Sequence, residues 1–492
     1  MKILLVNPPF YKIMGFFNRY FPFALVQLGT ILQNHGHEVL VYDGDLVLNP
    51  QYSDYSLLPK LYPDYLKSFR DANSQVWLDL EKVLDEFKPE VVGISIYTTY
   101  IASSYYVADV VRKVLPLCKI IYGGPHTKEK YNEVCENVEN FDYILRGMCD
   151  LTLPQLVSSI QNDNCSLDRI SGLTFKRDGQ YVHNPIESKM IDLSVLPIPD
   201  RSLLYNDHLY LSEDMGMIMT SRGCPYSCSF CSTDTRKISY RPTEQVIEEV
   251  IATKNRYGTI QFTFKDDSFT VNKTRVKELC AQIISRKLKI CWECNTRVNL
   301  INEELLKLMK KAGCNFVKVG VESGSEYVLK KMEKTTTLKK CREAANLFRK
   351  VGIHWTAYFL IGIPGEREKD IIETLNFITE IKPDMALLGV YEPFPGTAMF
   401  HEGVEKGLVK PRMSFEEFNS TNPNDYYKSN AKVQNDTIEW DRFKYLENLI
   451  KNKARLYNKK YVNIFRMFKA KFPVYRLQPS ILKNDFKKYL GY

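Results

Sequence analysis

The chain has 492 residues, enough for two or three domains and a large buried core. Hydrophobic residues at 44% and charged residues at 25% exclude a disordered chain. The net charge of +9 reflects 67 basic and 58 acidic side chains; residues 401–492 hold 19 and 10 of them, and the first 400 hold 48 of each, which excludes a generally basic nucleic-acid coat.

Residues 1–160 alternate short β-branched runs with helical patterns. Lys2–Asn7, Glu38–Tyr42, Val91–Ile96, Lys119–Tyr122 and Tyr143–Arg146 read as strands, with helices at Ala24–Asn34, Trp77–Phe87, Ser103–Leu115 and Lys128–Asn137. This predicts an α/β fold beginning with a doubly wound parallel sheet, in which ligands bind beyond the carboxyl ends of the strands. Residues 161–210 read as a hairpin and a Pro-rich linker ending in Leu196-Pro197-Ile198-Pro199-Asp200. Across 211–400, strands at Gly216–Thr220, Thr259–Phe264, Cys291–Thr296, Phe316–Val321, His354–Ile361 and Met385–Val390 predict six βα units of a partial parallel barrel. Residues 401–492 read as a mixed, then mostly helical basic domain. The apolar run that starts the chain is too short for a signal-peptide core, and no run is long enough to span a bilayer, so a cytoplasmic location is expected.

Twelve cysteines in a reducing compartment point to metal ligands, catalytic groups or core hydrophobes rather than disulfides. Nine, including Cys165, are scattered. Cys224, Cys228 and Cys231 form a C-x3-C-x2-C triplet directly after the first strand of the second domain. Thiolates so spaced can wrap one face of an iron–sulfur cube and leave the fourth iron open to a small molecule. The alternatives are a zinc knuckle, disfavoured because no Cys or His lies between Ser232 and Ile251, or three unrelated core thiols.

The triplet, Phe230 before its third cysteine, and its place after the first barrel strand resemble the radical SAM superfamily. Phe262-Thr263-Phe264-Lys265-Asp266-Asp267, Gly320-Val321-Glu322-Ser323-Gly324 and Gly362-Ile363-Pro364-Gly365-Glu366 resemble that family's later strand motifs, in order. The resemblance implies a 4Fe–4S cluster whose open iron chelates S-adenosylmethionine, cleaved by one electron to a 5′-deoxyadenosyl radical. It places Asp266 and Asp267 near the methionine amino group or ribose, and Arg297 near the carboxylate. Glu322 and Ser323 would face the ribose and methionine end, with the Gly362, Pro364 and Gly365 backbone by the adenine. Structural ion pairing is the plain alternative for Asp266 and Arg297.

A parallel sheet ahead of such a barrel resembles the cobalamin-binding subfamily through Asn7-Pro8-Pro9, Gly123-Gly124-Pro125-His126, Arg146-Gly147 and the run Leu193–Pro199. The D-x-H-x-x-G cobalt-ligand motif is absent, so cobalamin rests on the fold and the resemblance and not on a ligand residue; a sheet retaining the fold without corrinoid is the alternative. Thr98, Thr99 and Ser103 are candidate corrinoid contacts or helix caps, and His126 a corrin contact or a satisfied loop histidine. Where this subfamily has an acidic pair after Arg-Gly, the chain reads Met148-Cys149-Asp150. Cys291 and Cys294 should face opposite sides of one strand, leaving Cys294 open as a substrate-facing thiol.

The tail interleaves its cations with Phe465, Phe468, Phe472, Tyr475, Tyr489 and Leu490. It reads as a helical cap closing the barrel, as a basic amphipathic helix making peripheral contact with anionic lipid or a partner, or as an anionic-substrate or leader-peptide contact. The whole implies a cobalamin-dependent radical SAM enzyme that transfers a methyl group from methylcobalamin to an unactivated carbon. The same architecture also hosts oxidative cyclisation and rearrangement, and a non-catalytic zinc or iron–sulfur module is the reading from another class. The substrate would be a small, lipid-like or peptide molecule, with an external electron donor of flavodoxin or ferredoxin type and no nucleic acid.

Overall fold

In the computed structural model, which describes all residues except 19, 53, 54, 163–165, 188, 189, 234, 491 and 492, the alternating pattern becomes two parallel sheets. Cys165 therefore lies outside the described residues, as do the side chains of Tyr489 and Leu490. The first sheet contains β1 (Lys2–Asn7), β2 (Glu38–Asp43), β3 (Val91–Ser95), β4 (Lys119–Gly123), β5 (Tyr143–Leu145), β6 (Leu173–Arg177) and β7 (Gln180–His183), in the order β2-β1-β3-β4-β5-β6-β7. β1 to β5 are parallel; β6 and β7 are antiparallel and extend the same sheet. The strands are continuous apolar runs because helices cover both faces, leaving no solvated side to reward alternation. Strand order reverses between β1 and β3, which opens a crevice at their carboxyl ends.

Helices Phe23–Asn34, Gln75–Phe87, Ile101–Val114 and Pro125–Asn137 match the expected ones closely. A further helix, Leu58–Ser68, carries Pro59 and Pro63, turn signals in a sequence reading, and is held by burial of Tyr62, Tyr65 and Phe69 against Phe10 and Phe16.

The second domain contains β8 (Met217–Ile218), β9 (Ser221–Arg222), β10 (Ser239–Tyr240), β11 (Gln261–Phe264), β12 (Cys291–Thr296), β13 (Cys314–Glu322), β14 (His354–Ile361) and β15 (Met385–Val390). Six of them form a parallel sheet in the order β8-β11-β12-β13-β14-β15; β9 and β10 form a separate two-stranded ribbon. Phe262, Phe264, Trp292, Val317, Val319, Trp355 and Phe359 face the outer helices in one core. Their alternates face inward, where Glu293 accepts from Thr263 Oγ1 at 2.9 Å and from Lys318 Nζ at 2.8 Å.

The C-terminal region ties the two halves together and closes the sheet. Tyr427 and Met413 both bond the Glu133 carboxylate of the first domain. Helix Trp440–Asn458 lies along β15, and the Asn458 amide makes two 2.8 Å bonds with the Ala386 backbone, filling a rung of the open edge. Helix Tyr461–Leu477 crosses the amino ends of the strands, where Val474 and Tyr475 bury against Cys291. The cap reading of the tail is thus its observed place.

Candidate functional site

The C-x3-C-x2-C loop connects β9 to β10 at the carboxyl end of the second sheet. Gly223, at φ +98°, turns the chain into it; a Cβ there would meet the Lys237 carbonyl oxygen at 2.0 Å, so only glycine fits. All three thiols are free, with Cys228 buried and Cys224 and Cys231 half-buried. Burial pushes the Cys224 thiol up, more than the nearby Arg297 lowers it. Arg297 is itself buried; it donates to Cys228 Sγ at 3.2 Å and to Thr335 Oγ1 at 3.1 Å, and stacks on Tyr226. Among the described residues no three His, Cys, Asp or Glu side chains converge on a single ion. A cube takes one thiolate per iron, so its ligands need not converge. Three reduced thiols on one loop beside a guanidinium fit such a cluster.

Beneath the loop lies a buried polar pedestal. Asp266 accepts from Thr220 N at 2.7 Å, Thr220 Oγ1 at 2.5 Å and Ser221 Oγ at 2.7 Å. Arg275 donates to the Thr220 hydroxyl and carbonyl at 3.0 and 3.1 Å. Glu249, fully buried, pairs with Arg201 and Arg241, which hold the backbone carbonyls of Met217 and Met219. Asp266 therefore fastens the strand that leads into the cluster loop, with its oxygens engaged there. Asp267, beside it, lines the cavity described below.

The other barrel-motif residues divide by the direction of their side chains. Glu322 sits at φ +69° on a bulge between β13 and β14 and pairs with Lys334 at 2.5 Å. Ser323 turns outward: its hydroxyl meets Thr374 Oγ1 at 3.0 Å and accepts from Ser325 N at 3.1 Å, so it organises the outer helix Glu368–Ile381. Gly362, Pro364 and Gly365 are buried, with both glycines at positive φ. Gly362 N donates to Glu366, Gly362 O accepts from Gln434 at 3.0 Å, and Gly365 N donates to Asp436 at 2.5 Å. Cys294, open on sequence grounds as a substrate-facing thiol, sits instead in the outer core with Cys280 and Cys314, because that parity of β12 faces the helices.

A cavity of about 560 Å³ joins the carboxyl ends of the first sheet to the cluster loop. Its sheet side carries Gly93, Ser95, Gly123, Gly124 and Gly147; its barrel side carries Arg222, Cys231, Thr233, Lys265 and Asp267. At Gly123 a Cβ would come no closer than 3.8 Å to any other group, so a side chain there would project into the cavity rather than into the fold. This open, glycine-bearing wall fits the flat face of a corrinoid, and the residues that would hold it are those of Gly123, Gly124 and the Gly147 loop. Asp150 crosses to the barrel and grips both terminal nitrogens of Arg222, at 2.6 and 3.0 Å. No local motif marks this pair, nor Arg201, Arg241, Glu249 and Arg275.

Of the other corrinoid candidates, none lines the cavity among its described residues. Asn7 donates to Asp43 at 2.9 Å, holding the Asn7-Pro8-Pro9 turn against Gly44, whose Cβ would meet Pro9 N at 2.6 Å. Thr98 Oγ1 lies 3.0 Å from His126 Nδ1, Thr99 precedes the helix Ile101–Val114, and Ser103 in its first turn donates to the carbonyl of Tyr100, the residue before that helix, at 3.0 Å. His126 is buried against Phe418 and Tyr427; burial, helped by Lys130, lowers its pKa to about 3. It lies in the first turn of the helix Pro125–Asn137 rather than in a loop, and while its Nδ1 meets Thr98, its buried Nε2 has no hydrogen-bond partner among the described residues.

Comparison with known proteins agrees with this geometry. The radical SAM superfamily model matches residues 218–378 and the B12-binding domain model matches residues 64–157. The chain is 29% identical over 418 residues to an uncharacterised methyltransferase of Pyrococcus horikoshii, covering 83% of this chain and 84% of the relative. It is 31% identical over 360 residues to an anaerobic magnesium-protoporphyrin IX monomethyl ester cyclase of Cereibacter sphaeroides, covering 69% of this chain and 57% of the relative. The fold is similar to that of the radical S-adenosylmethionine methyltransferase TsrM of Kitasatospora setae, solved with cobalamin and a 4Fe–4S cluster, at a TM-score of 0.65 and 20% identity over 84% of this chain and 79% of that one. A B12-binding domain at residues 64–157 followed by a radical SAM domain at residues 218–378 supports a cobalamin-dependent radical SAM family. These two domains support the 4Fe–4S cluster, S-adenosylmethionine and cobalamin that the resemblance implied.

Proposed function

We propose that this enzyme transfers a methyl group to an unactivated carbon of a small molecule held in the barrel mouth. The observation that carries the reading is the single cavity bounded by Cys231 of the cluster loop on one side and by Gly123 and Gly124 on the other. When bound, the cofactors supply a carbon-centred radical and a methyl donor. The protein's part is placement. Cys224, Cys228 and Cys231 hold the cluster, Arg297 keeps positive charge against Cys228, and the Asp266 pedestal fixes the loop. The inward residues Glu293, Lys318 and Tyr358 give the lumen a polar wall to orient a substrate, and the first domain over the mouth excludes water. The electron comes from an external donor of flavodoxin or ferredoxin type.

Cyclisation without methyl transfer is the second reading, favoured by the 31% identity to the cyclase. S-adenosylmethionine labelled in its methyl group, incubated anaerobically with reconstituted enzyme and a small-molecule extract, separates the two. Label appearing in a product together with S-adenosylhomocysteine supports methylation. An unlabelled product that has lost hydrogen supports cyclisation. A Cys224→Ala, Cys228→Ala, Cys231→Ala variant that still cleaves S-adenosylmethionine overturns both.

A further inference from the structure

The helix Tyr461–Leu477 buries Asn463, Val474 and Tyr475 toward the barrel floor and leaves its other face uncovered. That face carries Tyr461, Phe465, Phe468 and Phe472, which are 84%, 59%, 41% and 53% exposed. Their spacing of four, three and four residues puts all four rings on one stripe. A monomer surface seldom offers so many large apolar side chains together without a use. Lys459, Lys460, Lys469 and Arg476 stand exposed around the stripe. The cations that lean inward are paired instead, Arg466 with Asp384 and Lys471 with Asp485.

We propose that this face is a docking surface for an anionic lipid bilayer. A row of aromatic rings bordered by lysine and arginine is complementary to a membrane interface, with rings at the acyl boundary and cations on the headgroups. It also locates the charge excess noted in the sequence: residues 442–492 carry 14 basic side chains against Glu447 and Asp485. The helix crosses the amino ends of the strands, opposite the cluster loop, so docking leaves the barrel mouth clear.

The test is co-sedimentation of the full, cluster-loaded chain with vesicles of phosphatidylglycerol and phosphatidylcholine in equal parts, and with phosphatidylcholine alone. The expected result is binding to the anionic vesicles only, weakened by salt. Phe465→Ser, Phe468→Ser, Phe472→Ser should reduce it about tenfold or more, and Lys459→Glu, Lys460→Glu, Lys469→Glu, confined to exposed positions, should do likewise. S-adenosylmethionine cleavage is read alongside and should be unchanged in both variants. Equal binding to both vesicle types, or binding that survives both variants, overturns the proposal. So does a concentration-dependent dimer of the parent chain that the serine variant abolishes while vesicles bind neither, since the face would then belong to a second copy.

Discussion

Replacing Asp266 by alanine tests whether the second-strand carboxylate is an organiser of the cluster loop or a ligand of S-adenosylmethionine. The substitution strands three donors, the Thr220 amide and the hydroxyls of Thr220 and Ser221, at a carboxylate that is 1% exposed. Each buried, unsatisfied donor costs about 1–3 kcal/mol; because the hydroxyls can rotate toward other acceptors, the sum should be about 3–5 kcal/mol. That is a large share of the roughly 5–15 kcal/mol that holds an ordinary domain together. Asp266→Asn keeps one acceptor oxygen and should lose about half as much. Denaturant unfolding of the cluster-free chain reads the stability, and iron bound per chain after anaerobic reconstitution reads the loop. If Asp266→Ala unfolds within about 0.5 kcal/mol of the parent and retains its iron while losing S-adenosylmethionine binding, the pedestal argument is refuted and the carboxylate is a ligand.

Gly123→Val should abolish cobalamin retention through gel filtration while leaving the unfolding curve unchanged, because the space its side chain would enter belongs to the cavity and not to the core. Unaltered corrinoid absorbance in that variant would place the cofactor elsewhere. Asp150→Ala leaves Arg222 without its carboxylate and should cost about 3 kcal/mol of interface energy, seen as weaker cobalamin loading; the exchanged pair Asp150→Arg, Arg222→Asp should recover part of it. Burial raises Glu366 from 4.5 to about 8, so the folded chain holds a proton that the unfolded chain releases. Stability from this group is full below about pH 4.5 and is lost as pH rises toward 8; Glu366→Gln should flatten that slope in unfolding measured across the range.

The strands and the cluster thiols were legible because their signals are local. β12, β14 and β15 begin and end at the residues expected from the sequence, and the three cysteines lie within one short loop. Side-chain direction was legible only where alternation is unbroken, as for Cys291 and Cys294. At Glu322 the register between β13 and β14 shifts and the backbone enters the left-handed region, so strand parity no longer fixes where Glu322 and Ser323 point. The ties between domains were illegible for another reason. Tyr427 and Glu133 are 294 residues apart, and each taken alone is an unremarkable polar side chain.

Those ties bear directly on the chemistry. Moving a group between a donor on the first sheet and a substrate in the second demands a separation held to about 1 Å, since an error of that size can cost a hundredfold in rate. The domains are joined by Asp150 to Arg222 beside the cavity, by Tyr427 and Met413 to Glu133, and by Gln27 to the carbonyl of Pro197 in the linker. Gln434, a few residues beyond Tyr427, donates to Gly362 and Tyr391 at the carboxyl ends of the last two barrel strands. One short stretch of chain therefore grips both halves. Opening the interface would strand the buried carboxylates of Glu133 and Asp150 together, which makes separation costly and hinge motion a poor route for substrate entry. Substrate should then reach the lumen along the cavity wall rather than by parting of the domains. The Asp150→Ala variant, which loosens one tie without touching the cluster, should lose methyl transfer before it loses S-adenosylmethionine cleavage.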